Sequence, residues 1–156
     1  MEQGEQMNWL RVGLLALSVG GCGSQPVEVE TEKMYGASVG IVNHTEKYVY
    51  SAVVDGAGGA NMDEYAAGGP EVCCARLPKV WRPGLKATVR VTFAVGRTLS
   101  YLTKTVDVER YDTPGSIYIH LFPGDQVRVV VSEYPGYSSG HPIPRPVKPA
   151  GWTRVE

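Results

Sequence analysis

"KATVRVTFAV", residues 86–95, decides the fold. Ala87, Val89, Val91, Phe93 and Val95 alternate with Thr88, Arg90, Thr92 and Ala94. Successive side chains of an extended chain point to opposite faces, so this stretch reads as a strand with one buried face and one wet face. The same pattern recurs downstream. TKTVDVE (103–109) turns Val106 and Val108 inward. SIYIHLF (116–122) puts Ile117, Ile119 and Leu121 on one side, which leaves His120 outward as a surface histidine. QVRVVVSEY (126–134) puts Val127, Val129 and Val131 on one side. Upstream, SVGIV (38–42) and KYVYSAVV (47–54) flank a turn-like NHTE. Val-Gly-Arg at 95–97, Thr-Pro-Gly at 113–115 and Pro-Gly-Asp at 123–125 mark turns between strands. No segment after Cys22 repeats at helical spacing. The expectation is an all-β fold, an antiparallel β-sandwich or partly open barrel with one long Gly-rich loop.

Two segments break the strand pattern. Asp55 to Cys74 is a long run of Gly, Ala and polar residues. Long loops in compact domains tend to carry function; this one reads as functional, as merely mobile, or as hiding a short helix over NMDEYAA (61–67). Residues 135–156 are rich in Pro and Gly and cannot form a central strand. They read as a PPII-like tail, either free or lying across the domain to shelter Tyr137 and Trp152.

The N-terminus sets the compartment. Val12 to Val19 reads VGLLALSV, too short to span a bilayer but the length of a signal-peptide core. VGGC (19–22) resembles a lipobox, in which Cys22 becomes the acylated first residue of the mature chain. Residues 1–21 are then a lipoprotein signal peptide, although Met1 to Gln6 carry two glutamates where positive charge is expected. A start at Met7 would leave Arg11 as that charge. Residues 22–34 form the lipidated cysteine and a polar tether, and 35–134 the β-domain. Gly23 and Ser24 after Cys22, with no Asp, favour the outer membrane over the inner one. The reading is therefore a periplasmic protein held to a membrane by lipid.

Removing residues 1–21 takes Glu2, Glu5 and Arg11 from totals of 16 acidic and 15 basic residues, leaving 14 of each. A neutral domain has no electrostatic footprint for nucleic acid, and its membrane attachment comes from lipid rather than a basic face.

Chemistry-bearing motifs are weak. GYSSG (136–140) has the G-x-S-x-G spacing, but HPIPRP follows where a helix is needed, and no acid and then histidine come after it. GAGGAN (56–61) lacks both the dinucleotide fingerprint and a Lys-Ser/Thr phosphate cradle. Asp63 and Glu64 are adjacent rather than opposed across a substrate bond. Cys73, Cys74, His44, His120 and His141 lack the spacing of metal ligands. The reading is no enzyme, no metal, no cofactor and no small-molecule substrate.

EVCCARLPKVWRPGL (71–85) is the remaining puzzle. With Cys22 lipidated, Cys73 and Cys74 are an isolated pair in an oxidising place. Three outcomes stay open: a ring disulfide between neighbours, two reduced thiols, or a bond between molecules. A ring closes almost no loop, so its value would be a local kink. Trp81, between Pro78 and Pro83, either pins an irregular segment onto the sandwich or is an exposed anchor for a partner.

VNHTEKYVYSAVVDGAGGAN and GGPEVCCARLPKVWRPGLKATVRVTF together resemble a family of small Gram-negative envelope lipoproteins with a domain of unknown function. The resemblance covers residues 38–95 and rests on Asn43, Thr45, Tyr48, Val54, Gly56, Gly58, Gly59, Cys73, Cys74, Leu77, Pro78, Trp81, Pro83 and Gly84, with Val49 where Ile is usual. Members look like immunity proteins of type VI secretion phospholipase effectors. The resemblance implies a lipid-anchored inhibitor whose partner is a secreted lipase-type toxin. The candidate partner surface is Gly56, Gly58 and Gly59 with Arg76, Lys79, Trp81 and Arg82. The competing expectation is a structural lipoprotein supporting an outer-membrane assembly.

Overall fold

The computed structural model describes residues 32–154. The expected signal peptide, Cys22 and most of the tether lie outside the described residues. The fold is all-β. Its strands are β1 (Met34–Asn43), β2 (Tyr48–Val54), β3 (Ala57–Gly58), β4 (Ala66–Ala67), β5 (Val72–Pro78), β6 (Lys86–Val95), β7 (Thr98–Asp107), β8 (Ser116–Phe122) and β9 (Gln126–Ser132). One sheet runs β1-β8-β9, with β4 and β5 both pairing the free side of β1; the other runs β3-β2-β6-β7. The two sheets pack together without closing into a barrel.

The alternating valines explain the packing. Val89, Val91 and Phe93 of β6 meet Val49 and Val54 of β2 and the facing Val39, Ile41, Ile117, Ile119, Leu121 and Val129, all buried in one cluster. The expected strands at 86–95 and 116–122 are observed with those bounds. All strand pairs are antiparallel except β1 with β8, which is parallel. Parallel neighbours need a long crossover, and β2 to β7 provide it. A bridge from Val108 to Val129 ties the chain after β7 back to β9 at one sandwich edge.

The structure departs from the sequence reading in particular places. The stretch Asp55 to Cys74 is not a free loop. Ala57 and Gly58 pair with Val54 and Val53, Met62 bridges to Val49, and Ala66 and Ala67 pair with Asn43 and Val42. Residues 61–67 hold no helix. Cys73 and Cys74 lie inside a strand that the hydropathy pattern did not mark.

Residues 135–154 dock on the outer face of the β1-β8-β9 sheet. Ile143 is buried with Val42, Tyr118 and Val130. Gly136 packs so closely on Val42 that any side chain there would collide. Trp152 meets Tyr65 edge-on at 5.4 Å, and Arg154 reaches Asp63 and Glu64 at 3.2 and 2.6 Å. GYSSG is a turn into this strap, with the Gly140 N–H donating to Ser138 Oγ at 3.2 Å.

That strap corrects the reading of His120. The residue does face away from the sandwich core, but it is fully buried. The alternation of β8 identifies the face correctly; the strap turns that face into a second interior.

Candidate functional site

The residues expected to form one partner surface fall into separate groups. Gly56, Gly58 and Gly59 all have positive φ, at +84°, +108° and +108°. Gly58 also abuts the Ala52 carbonyl and Val39, where a Cβ would come within 2.9 Å of the carbonyl oxygen. These glycines shape the β2–β3 hairpin. Val39 pairs with Val72 at the start of β5. Trp81 lies beyond Pro78, past the other end of β5, and seven strand residues span roughly 20 Å. Trp81 is half-buried against the core, and its indole N–H donates to the Val108 carbonyl at 2.8 Å. Arg82 is ion-paired with Glu32 at 2.8 Å. The Lys79 backbone N–H donates to the Lys33 carbonyl at 2.7 Å. Arg76 and Lys79 are exposed. Trp81 thus fastens the exit from β5 to the chain after β7, while Arg82 and the Lys79 N–H hold Glu32 and Lys33.

The cysteine pair sits at a bulge. Ala37 pairs with Ala75 and Val39 with Val72, so Ser38 alone opposes both Cys73 and Cys74. A bulge of this kind bends an edge strand and interrupts its pairing edge. The two sulfurs lie against each other across a cis peptide. Gly36 lies under this bulge, where a Cβ would meet Cys74 Cβ at 3.3 Å. A cross-link between neighbouring residues would constrain the unfolded chain very little. Replacing both cysteines with serine should cost about 1 kcal/mol or less. Thermal melts of wild type and the C73S/C74S variant, with and without reductant, check this; a drop of many degrees would refute it.

Asn43 and Thr45 form a knot rather than a catalytic pair. Asn43 is fully buried at the end of β1. Its Nδ2 donates to the carbonyls of Lys47 and Asp63 at 2.8 and 2.9 Å. Its Oδ1 accepts from the Thr45 N–H at 3.1 Å and from Thr45 Oγ1 at 2.7 Å. An amide side chain offers two donors and two acceptor positions, and here all four are used. The Thr45 carbonyl then accepts from the Tyr65 N–H at 3.1 Å. One side chain so fixes the β1–β2 turn and anchors the segment at 61–65.

Residues 42–129 match the model of a family described as "Protein of unknown function (DUF3304)". The chain belongs to this family. No curated protein and no solved structure matches it. The DUF3304 span holds the Asn43 knot, the cysteine bulge and Trp81, and ends before the strap.

Next to the knot is a group that sequence spacing did not reveal. His44 Nε2 lies 3.1 Å from His120 Nδ1, and His120 Nε2 lies 2.9 Å from His141 Nε2. His141 Nδ1 lies 2.8 Å from the Tyr134 carbonyl. A carbonyl only accepts, so His141 carries its proton on Nδ1 and accepts on Nε2. His120 therefore donates from Nε2 and accepts on Nδ1, and His44 donates from Nε2. The chain of three rings has one direction, from the β1–β2 turn through β8 to the strap. Phe122 stacks on His44 with centroids 4.3 Å apart, and Tyr118 meets His141 edge-on at 4.8 Å. Burial first, then the neighbouring His141, His44 and Arg128, holds His120 down to about 3. Burial and Arg128 lower His44 as well. Direct ring-to-ring bonds leave no nitrogen of His120 for a metal. Among the described residues no group of three His, Cys, Asp or Glu side chains has metal-holding geometry. Two of these histidines lie in the DUF3304 span; His141 lies past it, in the strap that nothing local in the sequence placed near His120.

Proposed function

We propose that this chain is a lipid-anchored periplasmic immunity protein that binds and neutralises a type VI secretion phospholipase effector without catalysis. The observation that carries this reading is the resemblance over residues 38–95 to envelope lipoproteins that accompany such effectors. The geometry is compatible with it in one respect. The signature residues hold a rigid frame: Asn43 and Thr45 the turn, Gly58 the hairpin, Cys73 and Cys74 the bulge, Trp81 the exit from β5. A pre-ordered frame loses little conformational freedom when it binds a protein, which favours affinity. Cys22 would hold the protein at the membrane whose lipids the toxin attacks.

The test pairs the chain with a lipase-type protein encoded beside it. Co-expressed in the periplasm, the two should co-purify in fixed ratio, and the chain should suppress phospholipid hydrolysis by the lipase. Undiminished lipase activity at saturating chain would overturn the reading. A genomic neighbourhood of envelope-assembly genes with no lipase would favour the structural-lipoprotein alternative.

A further inference from the structure

The two sheets differ in how their outer faces are finished. The β1-β8-β9 sheet is roofed by the strap, with Ile143 and His141 buried against it. The strap reaches the outer face of β2-β6-β7 only at one corner, where Trp152 and Arg154 line a cleft with Tyr48, Ala94 and Val95; around Tyr50, Arg90 and Tyr101 no covering segment lies among the described residues. Its register arranges three outward rows: Tyr48, Ala94 and Leu99; Ser51, Thr92 and Tyr101; Val53, Arg90 and Thr103. Val49 pairs with Phe93 and Ser51 with Thr92, so Tyr50 is an extra residue that the bulge thrusts out. Tyr50 and Tyr101 are 59% and 76% exposed, and Leu99 is exposed beside them. Two exposed tyrosines on rigid strands are a costly way to face water, and tyrosine and arginine are the residues that anchor protein interfaces.

Charge narrows the partner. Arg90 is exposed in the middle strand, and no carboxylate among the described residues pairs with it. Lys86 and Asp107 neutralise each other at one end of the face at 2.6 Å, and the Asp55 carboxylate accepts from the Thr88 N–H at 2.8 Å. Among the described residues the middle of the face therefore presents Arg90 as an unpaired cation, one row along from Tyr101 and the bulge at Tyr50. Edge pairing with a second copy through β7 is opposed by Lys104, which lies on the inward side opposite Val89 and donates to the Asp125 carbonyl; an inward lysine on an edge strand blocks strand addition.

We propose that the outer face of β2-β6-β7, with Tyr50, Arg90 and Tyr101 as anchors, is where the toxin docks, and that the toxin answers with a carboxylate set in an apolar patch. This rests on the immunity reading and moves the contact away from Trp81 and Arg82. The experiment is calorimetric titration of the full mature chain with the lipase-type protein encoded beside it. Y50A/Y101A and R90E should each weaken binding about a hundredfold, with unchanged melting temperatures, while R82A should bind as wild type does. If wild type binds and these variants bind equally well, the face is wrong but the immunity reading stands. If wild type does not bind, both fall. If sedimentation instead gives a dimer of this chain that R90E dissolves, or if the chain lacking its lipid pellets with phosphatidylethanolamine–phosphatidylglycerol vesicles through Tyr50 and Tyr101, the face serves another occupant and the proposal fails.

Discussion

Replacing Asn43 with alanine should destabilise the domain by about 3 kcal/mol, because it strips partners from several inner polar groups at once. The Lys47 and Asp63 carbonyls lose their Nδ2 donor, and the Thr45 N–H loses its acceptor. Each such group left without a partner costs about 1–3 kcal/mol, less where water reaches it. With an unfolding entropy of about 2 cal/mol/K per residue, the melting temperature should fall by about 10 °C. Asn43→Asp is the sharper variant. It keeps size and acceptor but turns a carboxylate toward two carbonyls, so it should be at least as damaging. Denaturant titration checks both. A loss under 1 kcal/mol for either would mean that the knot does not hold the turn and the 61–65 segment together.

The strands were legible because a half-buried strand writes its burial into every second residue. Lys86 to Val95 is the clearest case, and Ser116 to Phe122 follows it. The start of β7 was not legible, since Leu99 and Tyr101 sit on the wet face and disguise the alternation. β5 was hidden for a related reason: the bulge at Cys73 and Cys74 breaks the period in mid-strand. The segment 55–74 looked structureless because its order comes from outside it, through Val49, Val42 and the side chain of Asn43. His120 shows the limit most clearly. Its own strand gives its direction, but what covers it is a proline-rich strap that begins thirteen residues after β8 ends, at Pro135. Composition alone left that strap either free or docked. The residues of the expected partner surface do not converge, because β5 carries the glycine end and the tryptophan end apart.

Acidification from pH 7 to pH 5 should remove about 2 kcal/mol of stability through His120. In the unfolded chain His120 takes up a proton near its ordinary value of 6.5; in the folded chain it does so only near 3. Well above pH 6.5 the ring is neutral in both states and contributes no slope. Below it, the unfolded chain binds a proton that the folded chain refuses, so stability falls by up to about 1.4 kcal/mol per pH unit until the folded ring itself titrates. His44, also lowered, acts in the same direction. The groups facing His120 explain the refusal. Its Nδ1 accepts from His44, its Nε2 donates to His141, and Arg128 adds positive charge while held by Glu109 at 2.6 Å. A proton on His120 would need His44 to give up its role as donor, inside a site closed by Phe122, Tyr118 and the strap. The window between pH 7 and 5 suits the measurement because ordinary carboxylates remain mostly ionised there. His120→Gln supplies the control: its amide keeps one acceptor for His44 and one donor for His141 but does not titrate. Urea unfolding across this window should give a slope in wild type that is flatter by nearly one proton in H120Q. Equal slopes in the two proteins would show that the buried ring chain does not govern the acid response.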